Sequence, residues 1–264
     1  MKSKIMVYAG TVLITITCVA VIVVGYLNWH QRLESTAQAS SLENEASLKQ
    51  EEEKKLAAVG ERTKNLPTAV KKKFNQAIQE NRPLEIVLFG SEATSTFPNS
   101  WPDLLEKQLK AAYGDDFIHV TVKSYPEQTS DELISEGVAD EVLALNPDLI
   151  LVEAPIISDY QSLPMSKTLT NLAQLLTKWK EKQAAIIIQP PNPLYKNAAY
   201  VKAVSQLREW ASRSHYTYVH HWEVWPPSTA EDLQSYLTAD DHLLPNEKGQ
   251  KLWSDFLTHY FISN

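Results

Sequence analysis

The sequence predicts an α/β protein in which a parallel sheet carries helices on both faces, behind an N-terminal membrane segment. Three observations predict it. Apolar runs of strand length recur at residues 84–89, 118–125, 149–153, 184–189 and 216–220. Longer stretches with helical spacing separate them, and strand–helix alternation of this kind builds a parallel sheet with crossover helices. The runs are continuously apolar, as strands covered on both faces should be. The 264 residues are 44% hydrophobic and 22% charged, an ordinary globular balance that excludes wholesale disorder.

The elements follow in chain order. Residues 5–27 carry no charge and are dominated by Val, Ile, Leu and Ala, and a bilayer core needs about 20 apolar helical residues. Lys2 and Lys4 precede the run and no acidic residue does. The positive-inside rule then places the N-terminus in the cytoplasm and everything after the run outside, as a single-pass protein of the cell membrane. Tyr26 and Trp29 stand where an interfacial aromatic belt would lie. The competing reading is a cleaved signal peptide, whose apolar core spans about 7–15 residues. This run is longer, and the nearest small-x-small site, Ala37-Gln38-Ala39, lies well past its end. An uncleaved anchor is the better reading. Cys18 lies inside the run, behind a poor lipoprotein box at Thr15-Ile16-Thr17, and reads as a thiol buried in the membrane.

From residue 31 to about 65 the chain is polar, with the run Glu51-Glu52-Glu53-Lys54-Lys55. This reads as a solvated, partly helical spacer. Leu42, Leu48 and Leu56 are too sparse for the sustained heptads of a coiled coil. A marginal helix over 67–81 leads into the globular part. The expected division is therefore 1–30 as cytoplasmic tip and anchor, 31–82 as stalk, and 83–264 as the α/β domain. Within that domain Trp101, Leu104, Leu105, Leu109 and Ala112 form one helical stripe, and Leu133, Val138, Val142 and Leu145 a second. Leu169, Leu172, Leu176 and Trp179 form a third, and Val201, Val204, Leu207 and Ala211 a fourth. A last helix is expected over 247–261, with Leu252, Phe256 and Tyr260 on one side.

Charge and cysteine content narrow the function. A net charge of −7 argues against a nucleic-acid binder, which needs a basic face. One cysteine excludes a disulfide framework, a Cys-rich zinc site and an iron–sulfur cluster. His220 and His221 are adjacent and would point to opposite faces of a strand. No metal or organic cofactor is expected.

In open α/β sheets function collects at the carboxyl ends of the strands. Gly90-Ser91-Glu92-Ala93-Thr94 follows the first run. It reads either as a nucleophile at a strand-to-helix turn or as simple capping. Thr129-Ser130-Asp131-Glu132 reads as a helix start, and Glu153 through Ser158-Asp159 as a pocket lining or a solvated loop. Gln189-Pro190-Pro191-Asn192-Pro193 is a stiff connection or a pocket wall. Asp240-Asp241-His242, before Pro245-Asn246-Glu247-Lys248-Gly249, offers a base with an orienting acid, or an acidic turn before an Asn246-capped helix.

The order of these pieces over about residues 83–262 resembles the SGNH/GDSL hydrolase superfamily. Four features carry it: Ile86 to Thr94 against Gly-Asp-Ser-x-Thr; Pro147 to Asp159 against Gly-x-Asn-Asp; the Gln189–Pro193 loop; and Pro245 to Trp253 against the terminal Asp-x-x-His-Pro-Asn-x-x-Gly helix. The resemblance implies a flavodoxin-like, three-layer α/β/α domain with a five-stranded parallel sheet. It also implies a serine esterase or acyl hydrolase acting on small acyl esters, here of cell-envelope glycans or lipids. In strict register Glu92 stands at the nucleophile and Ser91 at the preceding Asp. Ser158, beside Asp159, stands at the oxyanion Asn, Asp241 at the triad Asp and Leu244 at the His, while the block-two Gly is missing from 125–131.

Two readings follow. A one-residue shift makes Ser91 the nucleophile beside Gly90, with His242 as base, Asp241 or Asp240 orienting it, and Ser158 and Asp159 lining the oxyanion pocket. Alternatively the fold is kept, the triad is lost, and the cleft binds an envelope ligand or partner without turnover. A third chemistry, Glu92 as general acid or base, has no evident partner carboxylate. Trp222, Trp225, Tyr195 and Tyr200 are candidates for stacking on sugar rings, or for core and rim.

Overall fold

The computed structural model describes residues 2–240 and 243–263, the side chains of 2–14 and 33–46 excepted. The chain divides into two compact units, Met1–Lys54 and Lys55–Asn264. Helix α1 runs Lys2–Arg62, through a stretch that has no proline before Pro67. Among the described residues no helix is long and apolar enough to cross a membrane. The part of the apolar run whose side chains are described, 15–27, is shorter than a span, and residues 5–14 lie outside it.

The second unit begins at Lys55 rather than at residue 83. Val59, Leu66, Val70 and Phe74, expected in the stalk, are buried in its core. Helix α2 (Thr68–Gln79) turns Val70, Phe74, Ala77 and Ile78 inward. The sequence predicts a marginal helix over 67–81 but leaves it in the stalk, whereas its apolar stripe at i, i+4, i+7 and i+8 is packed into the domain core.

Strands β1 (Leu84–Gly90), β2 (Ile118–Ser124), β3 (Leu149–Glu153), β4 (Ala185–Gln189) and β5 (Thr217–Tyr218) form one sheet in the order β2-β1-β3-β4-β5. All pairings are parallel, with Leu88 opposite Val122 on one side and Leu151 on the other. Period-two alternation along the strands feeds two cores. Ile86, Leu88, Leu149, Leu151 and Ile187 face one, shared with α2, α3 (Trp101–Tyr113) and α9 (Glu247–Phe261). Val87, Phe89, Ile150, Val152 and Ile188 face the other, shared with α4 (Ser130–Ser135), α5 (Val138–Leu143), α7 (Met165–Glu181) and α8 (Ala198–Arg213). The result is a three-layer α/β/α sandwich.

The helix expected over the Leu133–Leu145 stripe is two helices, because Gly137 turns left-handed at φ 71° and opens α5 anew. Strand β5 is shorter than its apolar run, since His221 already starts a tight 3-10 turn to Val224. Thr129 caps α4 through a reciprocal box with Glu132. Asn246 caps α9 by accepting from the N–H groups of Lys248 and Gly249.

Candidate functional site

The site is built at the carboxyl ends of β1, β2 and β3. As β1 ends, Tyr125 N–H donates to Gly90 O at 2.9 Å. The chain then turns through Ser91 to Thr94, whose N–H donates back to Ser91 O at 3.0 Å. Gly90 is required here by close approach: a Cβ at this position would sit 2.8 Å from Glu153 Cβ.

Successive residues at this turn face opposite ways. Ser91 points into the protein and is 3% exposed. Its hydroxyl donates to Glu153 Oε1 at 2.6 Å, and the Thr94 hydroxyl donates to Glu153 Oε2. Glu153 is the last residue of β3 and has no exposed surface. Burial pushes its carboxyl up to about 7; the Ser91 and Thr94 hydroxyls oppose that shift, and the nearby Glu92 charge adds to it. A carboxyl ending an otherwise apolar strand was the signal in the sequence. Its partners, in a turn 62 positions away, were not.

Glu92 points outward. It lines a cavity of about 410 Å³ together with Ser95, Thr96, Phe97, Tyr125 and Glu141. Its Oε2 accepts the Glu127 N–H at 2.9 Å. Glu127 has φ 59°, a left-handed conformation that glycine adopts without strain. The block from which a glycine is missing therefore keeps a glycine-like backbone, and its N–H is occupied by the chain's own carboxylate. Phe97 at the rim is 74% exposed. Glu141, on α5, accepts from Lys123 at 2.6 Å and from the Tyr125 hydroxyl at 3.0 Å. Bonding to Lys123 above all holds its carboxyl below the usual range. Glu92 thus does share its cavity with a second carboxylate, one that sequence reading did not find.

Of the remaining candidates, the described ones do not line the Glu92 cavity. Ser158 and Asp159 close the short helix α6 (Ile156–Asp159). Asp159 lines a different cavity, with Tyr160 and Thr168. Asp241 and His242 lie outside the described residues. Asp240 before them is exposed. Leu244, at the family's His position, is tied by its carbonyl to Thr238 N–H at 2.8 Å. Asn192 Nδ2 donates to Leu243 O at 2.9 Å, so the stiff loop after β4 holds the segment that leads into α9.

Of the aromatic candidates, Tyr200 and Trp225 are buried and not available for stacking. The Tyr200 hydroxyl donates to Asn192 O, and Trp225 Nε1 to His221 Nδ1 at 3.0 Å. Trp222 is half-buried with its Nε1 on Pro191 O. Burial above all lowers His221 to about 3, so its ring is neutral, stacked 4.2 Å from Trp253. Among the described residues no group of three His, Cys, Asp or Glu side chains is arranged to hold a metal ion.

A doubly wound α/β/α sandwich with its polar site after β1 and β3 is the architecture of the SGNH-type hydrolases. The profile of the GDSL-like lipase/acylhydrolase family matches residues 88–252, and the chain belongs to that family. No curated protein is significantly similar to it in sequence. Solved structures share its fold. A catalytic mutant of an acetylxylan esterase from Geobacillus stearothermophilus aligns with TM-score 0.56 and 14% identity, over 68% of this chain and 94% of that one. A GDSL-like lipase from Bacteroides thetaiotaomicron aligns with TM-score 0.53 and 16% identity, over 71% and 96%. The psychrotrophic esterase EstA from Pseudoalteromonas sp. aligns with TM-score 0.52 and 21% identity, over 66% and 93%.

Proposed function

We propose that this family member is anchored in the cell membrane by residues 5–27. It displays its α/β domain outside, where the Glu92 cleft binds an envelope glycan or lipid ester without hydrolysing it. The observation that carries the reading is the state of Ser91. A nucleophile must be reachable and paired with a base, whereas this hydroxyl is 3% exposed and donates into the protein, to Glu153. Glu92 at the nucleophile position supplies no hydroxyl, and Leu244 supplies no base. The N–H of Glu127, a donor at the cleft, is filled by Glu92.

The second reading, a working acyl hydrolase, draws on the same bond. A carboxyl near pH 7 at 2.6 Å from Ser91 Oγ has the distance and the proton affinity of a general base. It requires the turn to open so that the hydroxyl reaches solvent.

The full chain in detergent, treated with a fluorophosphonate probe and assayed on p-nitrophenyl acetate beside Ser91→Ala and His242→Ala, separates the two. Binding without turnover predicts no labelling above the Ser91→Ala background. Labelling and hydrolysis that vanish in Ser91→Ala would establish the enzyme instead. Membrane anchoring predicts that alkaline carbonate leaves the chain in the membrane pellet, and its release would remove that part of the proposal.

A further inference from the structure

The two edges of the sheet end differently. Strand β5 is two residues long, whereas β2 at the other edge runs seven, Ile118–Ser124, and pairs with β1 alone. Leu84 N–H donates to Phe117 O, and Tyr125 N–H to Gly90 O, so the odd-numbered residues of β2 turn their amides toward β1. The N–H and C=O groups of Val120 and Val122 therefore point away from the sheet. Among the described residues these groups meet no partner on that side.

Natural edges are guarded by shortness, proline, bulges or free charges, because an open ladder pairs with any strand that reaches it. β5 is guarded by its length. β2 holds no proline and no bulge, and it is rich in β-branched residues. Its two basic side chains are drawn aside: His119 Nδ1 lies 3.1 Å from Glu85 Oε1, and Lys123 donates to Glu141 at 2.6 Å. The strand also matches itself. Turned about a two-fold axis through Thr121, it sets Val120 opposite the partner's Val122 on both sides of the axis, each pair exchanging both hydrogen bonds. Thr121 meets the partner's Thr121, and Lys123 falls opposite the partner's His119. The row across the seam then reads Glu141, Lys123, the partner's His119 and the partner's Glu85, two bases between two carboxylates.

We propose that β2 is the docking edge for a second copy of this chain, which pairs with it antiparallel and joins the two sheets into one. The two Val120–Val122 pairs hold the centre of the seam. Val122 and Lys123 also line the Glu92 cavity, so the partner's His119 stands at its rim and each cleft is finished by the other copy. The pairing holds whatever that cleft binds, and whether or not the domain hydrolyses esters.

The test uses the full-length protein in detergent carrying Cys18→Ser, so that an introduced thiol is the only one. Light scattering should show a dimer for this parent chain. Position 121 lies on the axis, where antiparallel residues that share no hydrogen bond hold their Cα atoms about 4.5 Å apart, within disulfide reach. On mild oxidation Thr121→Cys should give at least about tenfold more covalent dimer than His119→Cys, whose own copy lies far along the partner strand. Val120→Pro removes only an outward N–H, and Thr121→Glu sets two carboxylates face to face. Each should weaken the dimer by about tenfold or more while the circular dichroism is kept. A monomeric parent, a Thr121→Cys yield no better than that of His119→Cys, or a dimer that survives Thr121→Glu unchanged would overturn the proposal.

Discussion

The floor and the mouth of the site use the same kinds of residue to opposite ends. At the floor, Glu153 is enclosed and satisfied by two hydroxyls, from Ser91 and Thr94. At the mouth, Glu92 and Glu141 face a cavity and are held by a backbone N–H, a lysine and a tyrosine. Both are carboxylates with their oxygens engaged. The difference is water: the floor has lost it, so each bond there is structural and expensive to break, while the mouth keeps it, so its bonds exchange with a ligand at little cost. In the family's register the mouth position holds Glu92, and the neighbouring Ser91 hydroxyl is enclosed at the floor.

The comparison is tested most severely at Glu153. Glu153→Ala strands two buried hydroxyls beside a void and should lower unfolding free energy by about 4 kcal/mol. Equilibrium denaturation measures it, and a loss under about 1 kcal/mol would dissolve the distinction between floor and mouth.

The next effect is on pH dependence. Glu153 is raised from 4.5 to about 7 in the folded protein, so the folded state holds a proton that the unfolded state releases. That contribution is complete below pH 4.5 and is lost as pH rises through about 7, a fall of about 3 kcal/mol from this one group. Glu153→Gln keeps a hydrogen-bonding side chain there but removes the titration. Its melting temperature should vary less than the wild type's between those limits, and parallel curves would contradict the assignment.

Gly90→Ala presses a methyl against Glu153 and should cost about 2 kcal/mol. Asn246→Ala, remote from both regions, removes the α9 cap and should cost about 1 kcal/mol in the same denaturation series. The smallest change is at the mouth: Glu92→Ala should shift stability by under about 0.5 kcal/mol. A large loss there would mean that Glu92, like Glu153, is part of the frame.

Much of the frame was legible before any coordinates. Continuous apolar runs ending in polar residues mark buried parallel strands, and four of the five run within a residue of the observed limits. The Asn246 cap and the 247–261 helix are local signals, read from a few adjacent residues. The start of the folded unit was missed because Val59 and Leu66 are scattered apolar residues in a largely polar stretch, and because the short stripe of Val70, Phe74, Ala77 and Ile78 shows a helix but not what that helix packs against. Gly137 was the available hint that the second helical stripe breaks.

The site was legible only in outline. The altered letters at Ser91, Glu92 and Leu244 are visible in the sequence alone, and so is the family. Which of Ser91 and Glu92 faces water is not, because that depends on the strand standing beside the turn. β3 brings Glu153 to Ser91 across 62 positions, and the turn after β2 brings the Glu127 N–H to Glu92. Local composition determines where strands, caps and turns form, since those are set by neighbours in the chain. Only the packed sheet decided that one hydroxyl would be enclosed, that one carboxylate would fill a backbone donor, and that Asp159 would be left with one buried, unpaired oxygen. Those outcomes are balances of burial and pairing between segments that meet nowhere in the sequence.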